Sequence, residues 1–386
     1  SRLFSLVEKF VDDDCIYFPH SCDFRGRIYP IPSPLFGPQG SDISRGLLQF
    51  SRSKEIGQET KWLNIHCANS WGKGEDKKSF AQRIQWVAEN THQIRRVAQD
   101  PKSNLFWTEA DDPWQFLASC FELAGLHRTG SKFQTSLPCG MDATNSGIQI
   151  LSLLARDPEC AAASNVTPSP TPRDIYMDVC SLVVERLRND VSKGKTYSYH
   201  WLHYGIDRTT TKRSVMTFAY GLTKYSNRQF ILEWFENQHA PSPFTKNETP
   251  KATAYLADLV WEAMLSVVVA PSGVMDWMQE LIRSQDTGIE WRTPIGFPVF
   301  QEQTKRELRQ IKTHFMGNMS YVAFNEDTND ICPRSMSNSV VPNFVHSLDA
   351  CAMMMTVNTC GLKDVMMIHD CFSTHSSSCE ALGKAV

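Results

Sequence analysis

Two short apolar runs in this 386-residue chain each close on an aspartate, and no other feature limits the possible folds as strongly. The first is LPCGMD (137–142) and the second is MMIHDCF (366–372). Short apolar runs read as buried strand, and a charge is expensive to bury, so a carboxylate at each end needs a reason. The His369-Asp370 dipeptide alone supplies none. With 11 His and 42 acidic residues, about one such neighbour pair arises by chance. Asp142 is followed by Ala143, Thr144, Ser146 and Gly147 and then by a helical pattern. It reads equally as the cap of a helix starting near Ser146 or as a strand-end carboxylate with room beside it.

A third segment, DRTTTKRSVMTFAYG (207–221), sets Arg208 and Lys212 one turn apart on a helix, with Tyr220 two turns further. Between 201 and 230 there are five basic residues and one acidic. Two cations at i, i+4 share one side of a helix, an arrangement that grips a polyphosphate, and Tyr220 offers a flat face to a base. The competing reading is a solvated basic face with Tyr220 in the core. DFRGRIYP (23–30) brackets a glycine with Arg25 and Arg27, and VPNFVHSLDA (341–350) sets His346 in an apolar stretch, where a core histidine is the ordinary reading.

Composition bounds the class. Apolar residues make up 41% and charged residues 21%, ample for folded cores in two or three domains. The net charge of -3 advertises no overall basic field, although a basic cleft fits inside a neutral protein. The 12 cysteines contain no CxxC pair, which removes the usual zinc and thioredoxin-like spacings and points to reduced, buried thiols. The longest apolar stretches, such as LSVVVA (265–270) with its single serine, fall far short of a membrane span, and the acidic N-terminus does not read as a signal peptide.

Residues 23–50 read as shaped loop and short strand, and Ile84, Val87, Ile94 and Val97 mark a helical region. The segment 157–174, with four prolines, reads as a linker with a boundary near 170. A helix follows, with Thr171 as cap, Pro172 in its first turn and a stripe of Ile175, Val179, Leu182 and Val183. Residues 201–235 and 251–283 read as helices, 286–301 as a hairpin, and 313–340 as a polar, irregular loop or ribbon.

Together these blocks resemble one family, the single-subunit RNA polymerases of bacteriophages and mitochondria. DFRGRIYP, DATNSGIQ, RTTTKRSVMTFAYG, PNFVHSLD and IHDCF occur in the family's order, and the resemblance covers essentially the whole chain. It implies a helix-rich α+β right hand of the family A-like polymerase fold. The palm would be 1–170, with a helical insertion at about 55–132, and 341–386; the fingers would be 171–340. The segment at about 303–334 resembles the specificity hairpin that reads promoter bases, with Asn325, Asn329 and Arg334 available. By the same resemblance the chain begins at the palm and stops just past the second catalytic aspartate, without the amino-terminal promoter-binding domain, the thumb or the final segment.

The resemblance also implies roles. Asp142 and Asp370, with the Ala143 carbonyl, would bind two Mg²⁺ ions; Asp142, Lys212 and Asp370 would be catalytic. Arg208, Lys212, Arg213, Tyr220 and His346 would bind the nucleotide, and Arg25 and Arg27 nucleic acid. The expected partners are a DNA template and promoter, ribonucleoside triphosphates and RNA product. The chain would act as a monomer, away from membranes, in an infected bacterial cytoplasm or alternatively a mitochondrial matrix. Two positions depart from the family pattern: Ala143 replaces a usual glycine, and Ile150 a frequent histidine. The nearest rival is a family A DNA polymerase, which shares the Arg-x3-Lys-x7-Tyr-Gly spacing. Those enzymes resemble one another in a glutamate soon after the first aspartate and in His-Asp-Glu at the second; this chain has neither. A further alternative is an inactive, truncated fragment that only holds nucleic acid.

Overall fold

The computed structural model describes residues 2–31 and 36–386, so part of the 23–50 loop expectation lies outside the described residues. The chain forms two compact units: Ser1–Ser146, Pro168–Arg173 and Asp349–Val386 make the first, and Gly147–Thr167 with Asp174–Leu348 the second.

In the first unit, helices Lys61–Trp71, Phe80–Glu89, Thr91–Gln99 and Pro113–Thr129 share one core. The stripe from Ile84 to Val97 is two helices, not one continuous element, because the chain breaks at Asn90 (φ -95, ψ 7). Ser79 starts the first of these with a capping box to Gln82. Leu63, Phe116 and Leu123 are buried completely or nearly so, each worth roughly 1.5–3 kcal/mol. Leu137 and Cys139 join the same core. The helices thus back the strand Cys139–Asp142.

That strand belongs to a three-stranded antiparallel sheet in the order Val365–Ile368, Cys371–Thr374, Cys139–Asp142. The two apolar runs that end in aspartate are therefore the outer strands of one sheet, with Cys371–Thr374 between them, and among the described residues Cys139–Asp142 is an edge strand with one pairing partner.

The second unit is mainly helical. Its helix Ile175–Ser192 is capped by Asp174, whose carboxylate accepts from the Tyr176 and Met177 N–H groups at 3.1 and 3.3 Å. The sequence pointed instead to Thr171. The carboxylate wins because it satisfies two orphan donors at once. Ile175, Val179, Val183 and Leu187 bury beside Trp201, Val215, Leu256 and Val260. Helices Arg208–Phe218, Lys224–Glu236, Thr249–Val267 and Val269–Arg283 occupy the predicted regions, with a 98° bend between the last two. Strands Ile289–Arg292 and Pro298–Gln301 form the expected hairpin.

Strands Thr304–Phe315 and Asn318–Ile331 pair along a ribbon, and helix Pro333–Cys360 follows directly. Of the two alternatives for 313–340, ribbon holds as far as Ile331, regular rather than irregular, and helix takes over from Pro333. Met316 (φ 50) and Gly317 (φ 80) are both left-handed, the two-residue turn that suits strand twist. Near its base the ribbon carries cross-strand pairs Lys305–Asp330, Arg306–Asp327 and Arg309–Glu326. Toward the tip Ile311, Phe315, Met316, Tyr321 and Val322 are exposed, so the ribbon is also less polar than expected. By length and composition the Pro333–Cys360 helix is long enough to cross a membrane, but 56% of that window is buried inside the protein, as in a core helix.

Candidate active site

In the first unit the sheet register builds the site. Ile368 pairs with Cys371, so His369 and Asp370 are the two loop residues of a tight hairpin. His369 has φ 54, a left-handed conformation that costs a non-glycine residue roughly 1–2 kcal/mol. Cys371 in turn pairs with Asp142, and the Ala143 N–H donates to the Asp370 carbonyl at 3.3 Å. One aspartate ends an edge strand and the other sits in the turn beside it.

Their electrostatics agree. The Asp142 carboxyl is pushed up to about 6, by burial first and by the charge of Asp370 second. Accessible area marks Asp142 as exposed, which sits uneasily with a burial effect. The area decides whether a ligand can reach the group, and a carboxyl walled on some sides but open on another meets both observations. Among the described residues neither aspartate has an ion-pair partner, although Lys77 and Arg45 pull the Asp142 pKa down slightly. Two uncompensated carboxylates side by side fit a divalent cation. Among the described residues no three His, Cys, Asp or Glu side chains gather to hold a metal; two carboxylates are the kind of oxygen pair that a hard divalent ion takes.

Asp23, Arg25 and Arg27, distant in sequence, lie near His369, the neighbour of Asp370 in the turn. The Asp23 carboxylate accepts the Arg25 and Arg27 N–H groups at 2.9 and 3.0 Å and pairs with the Arg25 guanidinium at 2.6 Å. Gly26 (φ 90) closes that turn. The Arg27 guanidinium reaches the Asp349 carboxylate at 2.7 Å. Burial pushes the Asp349 carboxyl up while Arg27 holds it down. His369 stands edge-on to Tyr29 at 4.6 Å and faces the Gln39 amide at 3.3 Å. Burial first, and Arg27 second, bring its imidazole down to about 4, so Gln39 donates to a neutral ring.

In the second unit, Asp207 caps Arg208–Phe218 through a capping box with Thr210. Arg208 pairs with Asp174 at 2.5 Å and lies over the Tyr176 ring, 4.7 Å from its centroid. Arg213 pairs with Glu233 and lies over Phe230 at 3.9 Å. Lys212 is exposed and, among the described residues, makes no ion pair. Tyr220 and His346, distant in sequence, stack with centroids 4.7 Å apart at 25°.

The sequence model of the DNA-dependent RNA polymerase family matches residues 54–386. The chain belongs to that family. It is 34% identical to T7 RNA polymerase of Escherichia phage T7 and to the DNA-directed RNA polymerase of Enterobacteria phage T3, over 98% of this chain and 48% of each relative. It is 33% identical to the mitochondrial DNA-directed RNA polymerase of Schizosaccharomyces pombe, over 96% of this chain and 33% of the relative. The chain therefore spans about half the length of the phage relatives it matches.

For this member of the DNA-dependent RNA polymerase family, sequence reasoning missed the carboxylates that hold the arginines. Asp349, Asp174 and Glu233 each take a cation that the motifs offered to nucleic acid or nucleotide. It also missed what Gly147 does. A Cβ there would lie 2.7 Å from the Ala219 Cβ and 3.2 Å from the Tyr220 Cζ. Gly147→Ala should therefore lower stability by about 1–3 kcal/mol, overpacking outweighing the helix-propensity gain of up to about 1 kcal/mol. Urea unfolding of the two proteins measures it; equal midpoints would mean that Tyr220 is not packed against this glycine.

Proposed function

We propose that this chain is the palm and fingers of a right-hand, phage-type DNA-directed RNA polymerase that copies a DNA template into RNA. The observation that carries the reading is the placement of Asp142 at a strand end and Asp370 in the turn beside it, linked by the Ala143 N–H to the Asp370 carbonyl, with no ion pair to either among the described residues. The palm is 1–170, with its helical insertion at about 55–132, together with 341–386; the fingers are 171–340. Asp142 and Asp370, with the Ala143 carbonyl, hold two Mg²⁺ ions. Bound there, the ions supply activation of the attacking 3′-hydroxyl and offset charge on the leaving pyrophosphate.

The remaining work is positioning and charge. Lys212 is solvent-facing and makes no ion pair among the described residues, so it is the fingers cation most available to hold a triphosphate and to donate its own ammonium proton to the leaving pyrophosphate. Arg208 reaches the same ligand from one turn away while Asp174 and the Tyr176 face fix its guanidinium plane. Arg213 adds charge nearby. The Tyr220–His346 stack gives a flat wall with polar edges, suited to the sugar and its 2′-hydroxyl. Arg25 and Arg27 border the nucleic acid, and the 304–331 ribbon reads promoter base edges. Asn325 and Asn329 lie on the ribbon, whereas Arg334 starts the next helix. The protein acts as a monomer in the cytoplasm of an infected bacterium.

The test is extension of an RNA primer annealed to a DNA template, with Mg²⁺ and either ribo- or deoxyribonucleoside triphosphates. Extension with ribonucleotides is the expected result. Preference for deoxyribonucleotides would promote the DNA polymerase reading, which the matched family does not favour. Binding of the hybrid without extension by either would leave a nucleic-acid-holding fragment.

A further inference from the structure

His66 lies on the Lys61–Trp71 helix, outside every motif that carries the proposed chemistry, and is buried. Burial brings its imidazole down to about 4, so near neutral pH the ring carries no charge and one nitrogen keeps a lone pair. That nitrogen is Nδ1, which accepts the Gly140 N–H at 3.4 Å.

The sheet register explains why Gly140 needs this acceptor. The Ala143 N–H points across the ladder to the Asp370 carbonyl. Antiparallel strands alternate, so Met141 points its N–H the same way while Gly140 and Asp142 turn theirs to the open side. Among the described residues Cys139–Asp142 has no pairing strand on that side, and a buried N–H left alone there costs about a hydrogen bond. Gly140 has no side chain to lock the strand. A cavity of about 60 Å³ also borders His66, Gly140, Arg45, Gln115 and Cys371, so the strand is not held by close packing alone.

We propose that His66 is a positioning residue that pins the open edge of the Cys139–Asp142 strand and so fixes the Asp142 carboxylate relative to Asp370. Its functional consequence rests on the reading of Asp142 as a metal ligand; the pinning itself does not.

Three variants separate this role from general packing. His66→Asn keeps an acceptor near Nδ1, His66→Gln moves it outward, and His66→Phe keeps the ring and loses the acceptor. Hydrogen exchange at the Gly140 amide in metal-free full chain is the first readout. The Mg²⁺ concentration for half-maximal primer extension is the second. The Gln and Phe variants should exchange Gly140 faster by about tenfold and need several-fold more Mg²⁺, with Asn close to wild type in both. A packing role would lower the melting temperature of all three without separating Asn from Gln. Equal Gly140 exchange in Asn and Gln overturns the proposal, and that comparison stands if Phe fails to fold. If even the wild type extends no primer, the polymerase reading fails by itself and the exchange rates still decide the role of His66.

Discussion

Asp370→Asn should reduce ribonucleotide incorporation by about a thousandfold or more while leaving the metal-free protein at least as stable as wild type. The two halves come from the same geometry. Asp370 occupies the second position of a two-residue hairpin loop, and its neighbour Asp142 is raised by burial first and by the charge of Asp370 second. Asparagine keeps the shape of the turn and removes the charge. A cation held by one carboxylate instead of two loses several kcal/mol of transition-state stabilisation, and about 4 kcal/mol is a thousandfold. Without metal, the same change relieves repulsion. The gain stays within about 1 kcal/mol, because Asp142 is open to solvent and the charges are screened. Addition of Mg²⁺ should raise the melting temperature of the wild type and not of the variant. Primer extension and thermal melting with and without Mg²⁺ make the comparison. A variant that is inactive because it melts far below wild type would show that Asp370 holds the fold rather than a metal.

That prediction draws on a part of the molecule that the sequence made legible. Short apolar runs that stop at Asp142 and Asp370 become strands of one sheet because the same residues that fill the core force the chain to turn where the charge begins. The helical spacing of Arg208 and Lys212 was readable for the same local reason. What stayed hidden is long-range. Arg27 and Asp349 are 322 positions apart, and no local pattern couples them. Asp174 looked like part of a linker, yet it caps one helix and anchors Arg208 of another. The ribbon was readable from its residues only as one of two alternatives, loop or ribbon. Both of its faces meet solvent, so its strands lack the alternation between buried and exposed residues that normally reveals them.

Asp349→Ala should destabilise the first unit by about 3–5 kcal/mol, roughly a 10 °C drop in its melting transition. Arg27 and Asp349 form an ion pair at 2.7 Å with side chains only 14% and 6% exposed. Removing the carboxylate takes a 2.7 Å partner from a buried guanidinium, which costs far more than the loss of an exposed pair. Asp349→Asn should cost less, since it still accepts from the guanidinium. The paired replacement Arg27→Met with Asp349→Leu should recover most of the loss, because no charge is then left behind. This series also decides what Arg27 is for. If the ion pair is its main role, Arg27→Met and the double variant differ in stability, and both bind a template–primer hybrid about as well as wild type. If Arg27 instead grips nucleic acid, both lose hybrid affinity whatever their stability, and the fall of affinity with salt becomes shallower by about one counterion. Denaturant unfolding and hybrid binding across a salt series read the two roles separately. A single-variant loss under about 1 kcal/mol would show that the 2.7 Å contact carries little of the fold.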